Sequence, residues 1–219
     1  MPSTATVVAA AALTGLVTAA VVRPVLQALP EPPDQPDKVT YRSLPTARLL
    51  LICGLLAAGG TALAWQGVPP ATRPLWTVLS SCGVLLAVID AKTTWLPLRL
   101  TQAAWFLMLL GVAAGWALGG GWQLVVRTVV GAAIAGTLYF LGWLISRGGF
   151  GFGDVRYAPL LGAAAAACSW RLLIGALIMG TVVGGLYGLA RLAHRRRGPF
   201  PYAPSMLAGV YLAVAASWL

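Results

Sequence analysis

The chain contains five carboxylates, and three of them, Glu31, Asp34 and Asp37, crowd into one proline-rich stretch where a solvated role suffices. The other two each adjoin an apolar run. Asp90 ends LWTVLSSCGVLLAVID, and Asp154 sits in SRGGFGFGDVR. Two carboxylates held close together can hydrolyse an amide with neither a metal nor a covalent intermediate. One stays protonated and donates a hydrogen bond to the scissile carbonyl, while its ionised partner takes a proton from water. Like charges a few ångströms apart resist joint ionisation, so such a pair shares one proton. Other hydrolytic chemistries lack their parts. Serine and cysteine nucleophiles usually need an activating base, most often histidine, and the single histidine, His194, lies in the basic run HRRR. Zinc is short of ligands for the same reason. Cys53, Cys82 and Cys168 fall in apolar runs without C-x-x-C spacing, which suits packing better than a disulfide or metal framework. No cofactor and no metal are expected.

The elements that must position Asp90 and Asp154 follow from composition. Of 219 residues, 59% are hydrophobic and 9% charged, whereas a soluble domain is about a quarter charged. The expected fold class is therefore an all-α polytopic membrane protein. Eight apolar segments, at roughly 4–22, 49–65, 75–90, 100–118, 124–145, 157–170, 172–193 and 203–219, read as about eight transmembrane helices. Residues 1–48 form a first span and a Pro-rich loop, and residues 49–219 the membrane core. The first 22 residues lack the basic start of a signal peptide.

A net charge of +10 invites a nucleic-acid reading, but that needs a basic face on a soluble fold. Here the cations sort by side. With the loops after the first, third, fifth and seventh segments in the cytoplasm, twelve of the fifteen Lys and Arg lie there or on the flanks. Arg73, Arg127 and Arg171 stay outside, both termini face outward, and Asp90 and Asp154 share the cytoplasmic side. The segments carrying them are short. Fifteen residues (75–89) and fourteen (157–170) cover only about 21–23 Å of a roughly 30 Å hydrocarbon core. Each aspartate then sits somewhat below the interface, where an ionisable group lines a wet cavity or pairs with a partner. A functional site is one reading. Ordinary ion pairs with Lys92, Arg99 or Arg156 are the other.

Gly148, Gly149, Gly151 and Gly153 precede Asp154. They would permit unusual backbone angles and close approach of an extended substrate, or simply a hinge between spans. Two rows at small-xxx-small spacing, Gly111, Gly115, Gly119 and Gly180, Gly184, Gly188, predict close helix packing. Trp65, Trp76, Trp122 and Trp170 near segment ends suit an interfacial belt.

At these residues the sequence resembles the type IV prepilin peptidase family, membrane aspartic proteases of the GxGD class. Gly151-Phe152-Gly153-Asp154 matches the second catalytic motif. Ile89-Asp90 matches the first, with Leu96-Pro97 and Leu100-Thr101 following, and GPFPYAPSMLAG, with Pro199, Phe200 and Pro204, resembles the stretch opening the last helix. The resemblance covers about residues 50–219. It implies that Asp90 and Asp154 are the catalytic pair and that Gly151, Gly153, Pro97 and Arg156 contact substrate. It also implies a prepilin or pseudopilin substrate, cut on the cytoplasmic side of its hydrophobic N-terminal helix, with the enzyme multi-pass in the bacterial inner membrane. The lipid bilayer, and no nucleic acid, is the other partner. Arg156 stands where Lys is usual. The paired C-x-x-C motifs associated with N-methylation in many bacterial members are missing, so the resemblance extends to peptidase and not to methyltransferase activity. Among other GxGD proteases, the presenilin and signal-peptide-peptidase kind has Tyr-Asp and Pro-Ala-Leu where this chain has Ile-Asp and Pro-Phe. A transporter using the aspartates as a proton relay, and a non-catalytic assembly factor, are the readings outside proteolysis.

Overall fold

The computed structural model describes residues 2–31, 39–147, 151–195 and 200–217. Asp34, Asp37, Lys38, Gly148, Gly149, Arg196, Arg197 and Pro199 lie outside the described residues. The described regular structure is all helical: α1 (Thr4–Ala28), α2 (Ala47–Gly67), α3 (Arg73–Val78), α4 (Val84–Thr93), α5 (Leu98–Gly115), α6 (Gly121–Ile145), α7 (Phe152–Cys168), α8 (Trp170–Ala193) and α9 (Ala203–Ala216). Five stretches are long and apolar enough to cross a bilayer: Thr4–Ala28, Ala47–Gly67, Pro70–Thr93, Leu98–Ile145 and Trp170–Ala193. This is a multi-pass membrane protein. Each of the eight expected segments falls on a helix, but five stretches rather than eight meet the length requirement. The fourth and fifth segments are two legs of one stretch, and α7 and α9 are only 17 and 14 residues long.

Two local departures from the α-helix shape the bundle. A π-turn at Leu79–Gly83 joins α3 to α4 within one stretch. Its extra residue rotates the face that continues toward Asp90 relative to α3. Between α5 and α6, Gly119 and Gly121 take φ of 92° and 61°, values a residue with a Cβ adopts only at a cost. The 48-residue stretch from Leu98 to Ile145 therefore does not run straight. α5 passes from Leu96, beside Gly153, to Gly115, beside Ala71, and α6 returns to Trp143, against Phe152.

Glycine brings three antiparallel helix pairs into close contact. Gly15 faces Gly54 between α1 and α2, Gly131 faces Gly162 between α6 and α7, and Gly180 faces Gly209 between α8 and α9. In lipid such contact drives association, because apolar side chains gain nothing by leaving acyl chains. Of the two glycine rows read from the sequence, Gly111, Gly115, Gly180 and Gly184 pack against neighbouring helices. Gly188 meets nothing within 4 Å among the described residues, and Gly119 breaks the helix instead. Trp76 also departs from expectation. It is fully buried rather than interfacial, donating its Nε1–H to Cys168 Sγ at 3.1 Å and meeting Tyr211 edge-on at 5.9 Å.

The proline-rich connection is anchored by Glu31. Its carboxylate accepts the backbone N–H groups of Tyr41 (2.7 Å) and Arg42 (3.1 Å), and it pairs with the Arg42 guanidinium at 3.9 Å. The expectation of a merely solvated Glu31 is corrected, because a short 3₁₀ turn at Tyr41–Ser43 presents free amides to it.

Candidate active site

Asp90 occupies the last turn of α4, where a tight local network ends the helix. Thr94 adopts a left-handed conformation (φ 54°, ψ 30°) and donates its N–H to the Asp90 carbonyl at 2.7 Å. That conformation is costly for a β-branched residue. Thr93 supports it, donating its hydroxyl to the Ile89 carbonyl at 2.9 Å and accepting the Trp95 N–H at 3.2 Å. The chain then turns through Leu96 into Pro97, which caps α5 and whose carbonyl accepts from both the N–H and the hydroxyl of Thr101 at 3.0 Å. Pro97 is thus buried as a structural corner beside the site.

The Asp90 side chain is 5% exposed. Its Oδ2 accepts the Ala203 N–H at 3.1 Å, and the backbone of Tyr202 adds a further hydrogen bond. Ala203 opens α9, so these donors belong to a helix N-terminus, where amides lack intrahelical partners and the dipole favours an anion. Phe200 holds this end in place by stacking on Tyr187 at 5.4 Å and meeting Tyr202 edge-on at 5.5 Å. Phe200 therefore packs against the residue that precedes the Ala203 donor.

Asp154 lies in the first turn of α7 and is 6% exposed. Its N–H bonds the Gly151 carbonyl at 3.1 Å. Its Oδ1 is buried without a hydrogen-bond partner among the described residues. The ion pairs that could have occupied either aspartate, with Lys92, Arg99 or Arg156, do not form among the described residues. Arg156 instead lays its guanidinium over the Phe152 ring at 4.9 Å and offers its carbonyl to Trp105 Nε1 at 3.3 Å. The structure brings Asp90 and Asp154 within electrostatic reach of each other, and Tyr157 within reach of both.

Gly151 and Gly153 earn their place by proximity rather than by unusual angles. Gly151 has an ordinary φ of −70°. A Cβ there would approach Asp154 Oδ2 to 3.1 Å, and one on Gly153 would approach Leu96 Cβ to 3.0 Å. The backbone-freedom reading of these two glycines is corrected. The first leaves the carboxylate room, and the second lets the α4–α5 turn close against α7.

An apolar groove of about 750 Å³ runs between α2, α4 and α9, and neither aspartate lines it. It is lined by Ala87 and Ala91, on the helix that carries Asp90, by Pro204, next to the Ala203 donor, and by Arg48, Gly59 and Lys92. Sequence reasoning missed Tyr157, Tyr202 and the Ala203 amide. A tyrosine three residues after Asp154, hence near it on the helix face, was the one available signal.

No group of three or more His, Cys, Asp or Glu side chains converges among the described residues. Residues 77–189, a stretch that contains both aspartates, match the type IV leader peptidase family. Two curated proteins of Aeromonas salmonicida, one from strain A449, are each called prepilin leader peptidase/N-methyltransferase. Each is 28% identical to this chain over 169 residues, covering 73% of this chain and 54% of its own length. The chain thus spans about half the length of the curated relatives it matches. No solved structure matches it. With just over half of its residues matched, including the segments that bring Asp90 and Asp154 together, this chain belongs to the type IV leader peptidase family.

Proposed function

We propose that the protein is a membrane-embedded aspartic endopeptidase that removes the leader peptide of prepilin-like proteins at the cytoplasmic face of a bacterial inner membrane. The observation that carries this reading is a pair of buried carboxylates, Asp90 and Asp154, within reach of one another and free of any cationic side chain among the described residues. A structural role would normally neutralise such a pair. In this reading, residues 49–219 form the peptidase core and residues 1–48 flank it. The eight helical segments all serve as spans, with the short α7 and α9 packed inside the bundle.

The chemistry divides between the two aspartates by their surroundings. The Ala203 N–H on Asp90 Oδ2 favours the ionised form, so Asp90 takes the proton from the attacking water. Asp154, with Oδ1 meeting no donor among the described residues, carries the shared proton and hydrogen-bonds the scissile carbonyl. As the tetrahedral species collapses, the proton gained by Asp90 passes to the leaving amine. Gly151 leaves the carboxylate clear on the substrate side, and Arg156 flanks the same turn. The apolar segment of the substrate lies along the groove between α2, α4 and α9, whose small residues Gly59, Ala87 and Ala208 admit a helix closely.

The test is cleavage of a co-expressed prepilin by the wild type, Asp90→Asn and Asp154→Asn, with membrane abundance measured in parallel. The reading expects cleavage by the wild type alone, with all three present equally. An abundant variant that still cuts at the wild-type rate would falsify the two-carboxylate mechanism.

A further inference from the structure

We propose that Tyr157 is a positioning residue: its hydroxyl ties α7 to the π-turn of the α3–α4 stretch and so holds Asp154 opposite Asp90. The inference rests on the peptidase reading for its kinetic consequences, while its geometric content is independent of it.

Tyr157 is completely buried, and its hydroxyl donates to the Gly83 carbonyl at 2.9 Å. Each end of this bond is rigidly connected to one aspartate. Gly83 precedes Asp90 by seven residues, almost two full helical turns, which leaves both near one face of α4. Tyr157 follows Asp154 by three residues, within one turn of α7. A rotation or slide of α7 against α4 would break this bond and displace Asp154 from Asp90 together. The electrostatic reach of Tyr157 to both carboxylates agrees with that placement.

The π-turn makes the contact possible. Gly83 closes it, and a Cβ at this position would lie 2.7 Å from Leu79 Cδ1. Without a side chain on Gly83, Tyr157 reaches the helix backbone itself, a fixed acceptor, rather than a mobile side chain. α7 is also short, and its far end is held separately, where Cys168 donates to Thr72 Oγ1 at 3.3 Å and accepts from Trp76. Near Asp154, Trp105 of α5 also donates to the Arg156 carbonyl at 3.3 Å. The hydrogen bond at that end that ties α7 to the stretch carrying Asp90 is the one from Tyr157.

The experiment compares the wild type, Tyr157→Phe and Cys168→Ala in membranes, using prepilin cleavage and a cleavage-independent distance readout. Tyr157→Phe keeps the ring and removes only the tether. It is expected to lower kcat about tenfold, the effect of a single buried hydrogen bond, with KM unchanged. The two limbs of the pH–rate profile should draw together, because the splitting of a coupled pair depends on its separation. Tyr139, Tyr202, Tyr211 and Cys82 are the other titratable side chains facing this region, and all of them are the same in the wild type and Tyr157→Phe. Cys168→Ala, at the opposite end of α7, is expected to lower thermal stability without moving the profile. For the second readout, Asp90→Cys and Asp154→Cys are combined in a chain with Cys53, Cys82 and Cys168 replaced by Ala, then cross-linked by a short bismaleimide. Adding Tyr157→Phe should slow cross-linking severalfold. An unchanged cross-linking rate overturns the positioning role whether or not the wild type cuts any prepilin, and an unchanged pH profile in an active enzyme overturns it as well. Failure of the wild type to cut, with cross-linking still slowed, removes the peptidase reading and leaves the tether standing.

Discussion

The Ala203 N–H donates to Asp90 Oδ2 at 3.1 Å across 113 residues of chain. This contact joins the opening amides of α9 to the end of α4, and it makes the backbone of the last helix a part of the site. Ala203→Pro deletes the donor and also disfavours the helical backbone of Tyr202 before it. A hydrogen bond to a charged group contributes about 1.5–3 kcal/mol, so cleavage should fall by about tenfold to a hundredfold. Rate measurements at matched membrane abundance check this, and a wild-type rate would remove α9 from the mechanism.

Asp154 presents the opposite situation, a buried oxygen with no donor among the described residues. Asparagine keeps the side chain neutral, as Asp154 is while it carries the shared proton, so the substitution buries no new charge. Asp154→Asn should therefore melt at or above the wild-type temperature in detergent while losing activity. Marked destabilisation would show that the carboxylate serves the fold.

The two motif glycines should fail in different ways. Gly151→Ala places a methyl 3.1 Å from Asp154 Oδ2, crowding the carboxylate with little effect on packing, so it should lower kcat and spare stability. Gly153→Ala presses on Leu96 at 3.0 Å, a contact between the α4–α5 turn and α7. Adding Leu96→Ala should recover part of the lost activity, a coupling that distant sites do not show. Strict additivity in the double-mutant cycle would count against this contact.

The groove can be filled without disturbing the bundle. Gly59 lines it and has open space where a Cβ would stand. Gly59→Leu should raise KM severalfold and leave kcat and abundance near wild type, since it removes binding common to ground and transition states. Unchanged KM would place the substrate elsewhere.

One prediction concerns the connection between α1 and α2. Burial, and secondarily the nearby Glu31 carboxylate, push the Tyr41 phenol up to about 12 from its ordinary value near 10. A group raised in the folded state contributes its full stability below the unfolded pKa, and that contribution is lost as pH rises through the folded one. Protease resistance of the α1–α2 connection should accordingly hold up to about pH 10 and decline toward about pH 12. Tyr41→Phe should flatten that decline; a decline of equal size in both chains would assign it to other groups.

The two aspartates were legible because the chain has so few acids that two beside apolar runs stand out. The membrane character was legible for the complementary reason, the scarcity of charge. What stayed hidden has a common cause: it depends on backbone atoms or on contacts distant in sequence. The Ala203 amide has no side-chain signature, and a tyrosine such as Tyr157 in an apolar helix looks like ordinary packing. The π-turn leaves the hydrophobic pattern of LSSCG unmarked. Gly151 and Gly153 were noticed, but the crowding that requires them is visible only once Leu96 and the Asp154 carboxylate surround them. Glu31 was misjudged because the amides it binds lie ten and eleven residues downstream.

The span between Asp90 and Ala203 also fixes a timetable. Ribosomes add about 5–20 residues per second, so the nascent chain carries Asp90 for many seconds before the amide of Ala203 exists. Asp154 emerges in the interval, followed by the whole of α8. Through that period the growing polypeptide lacks the α9 amide that its Asp90 carboxylate accepts. On the proposed reading, the order of synthesis itself delays full activity until α9 has packed against α4.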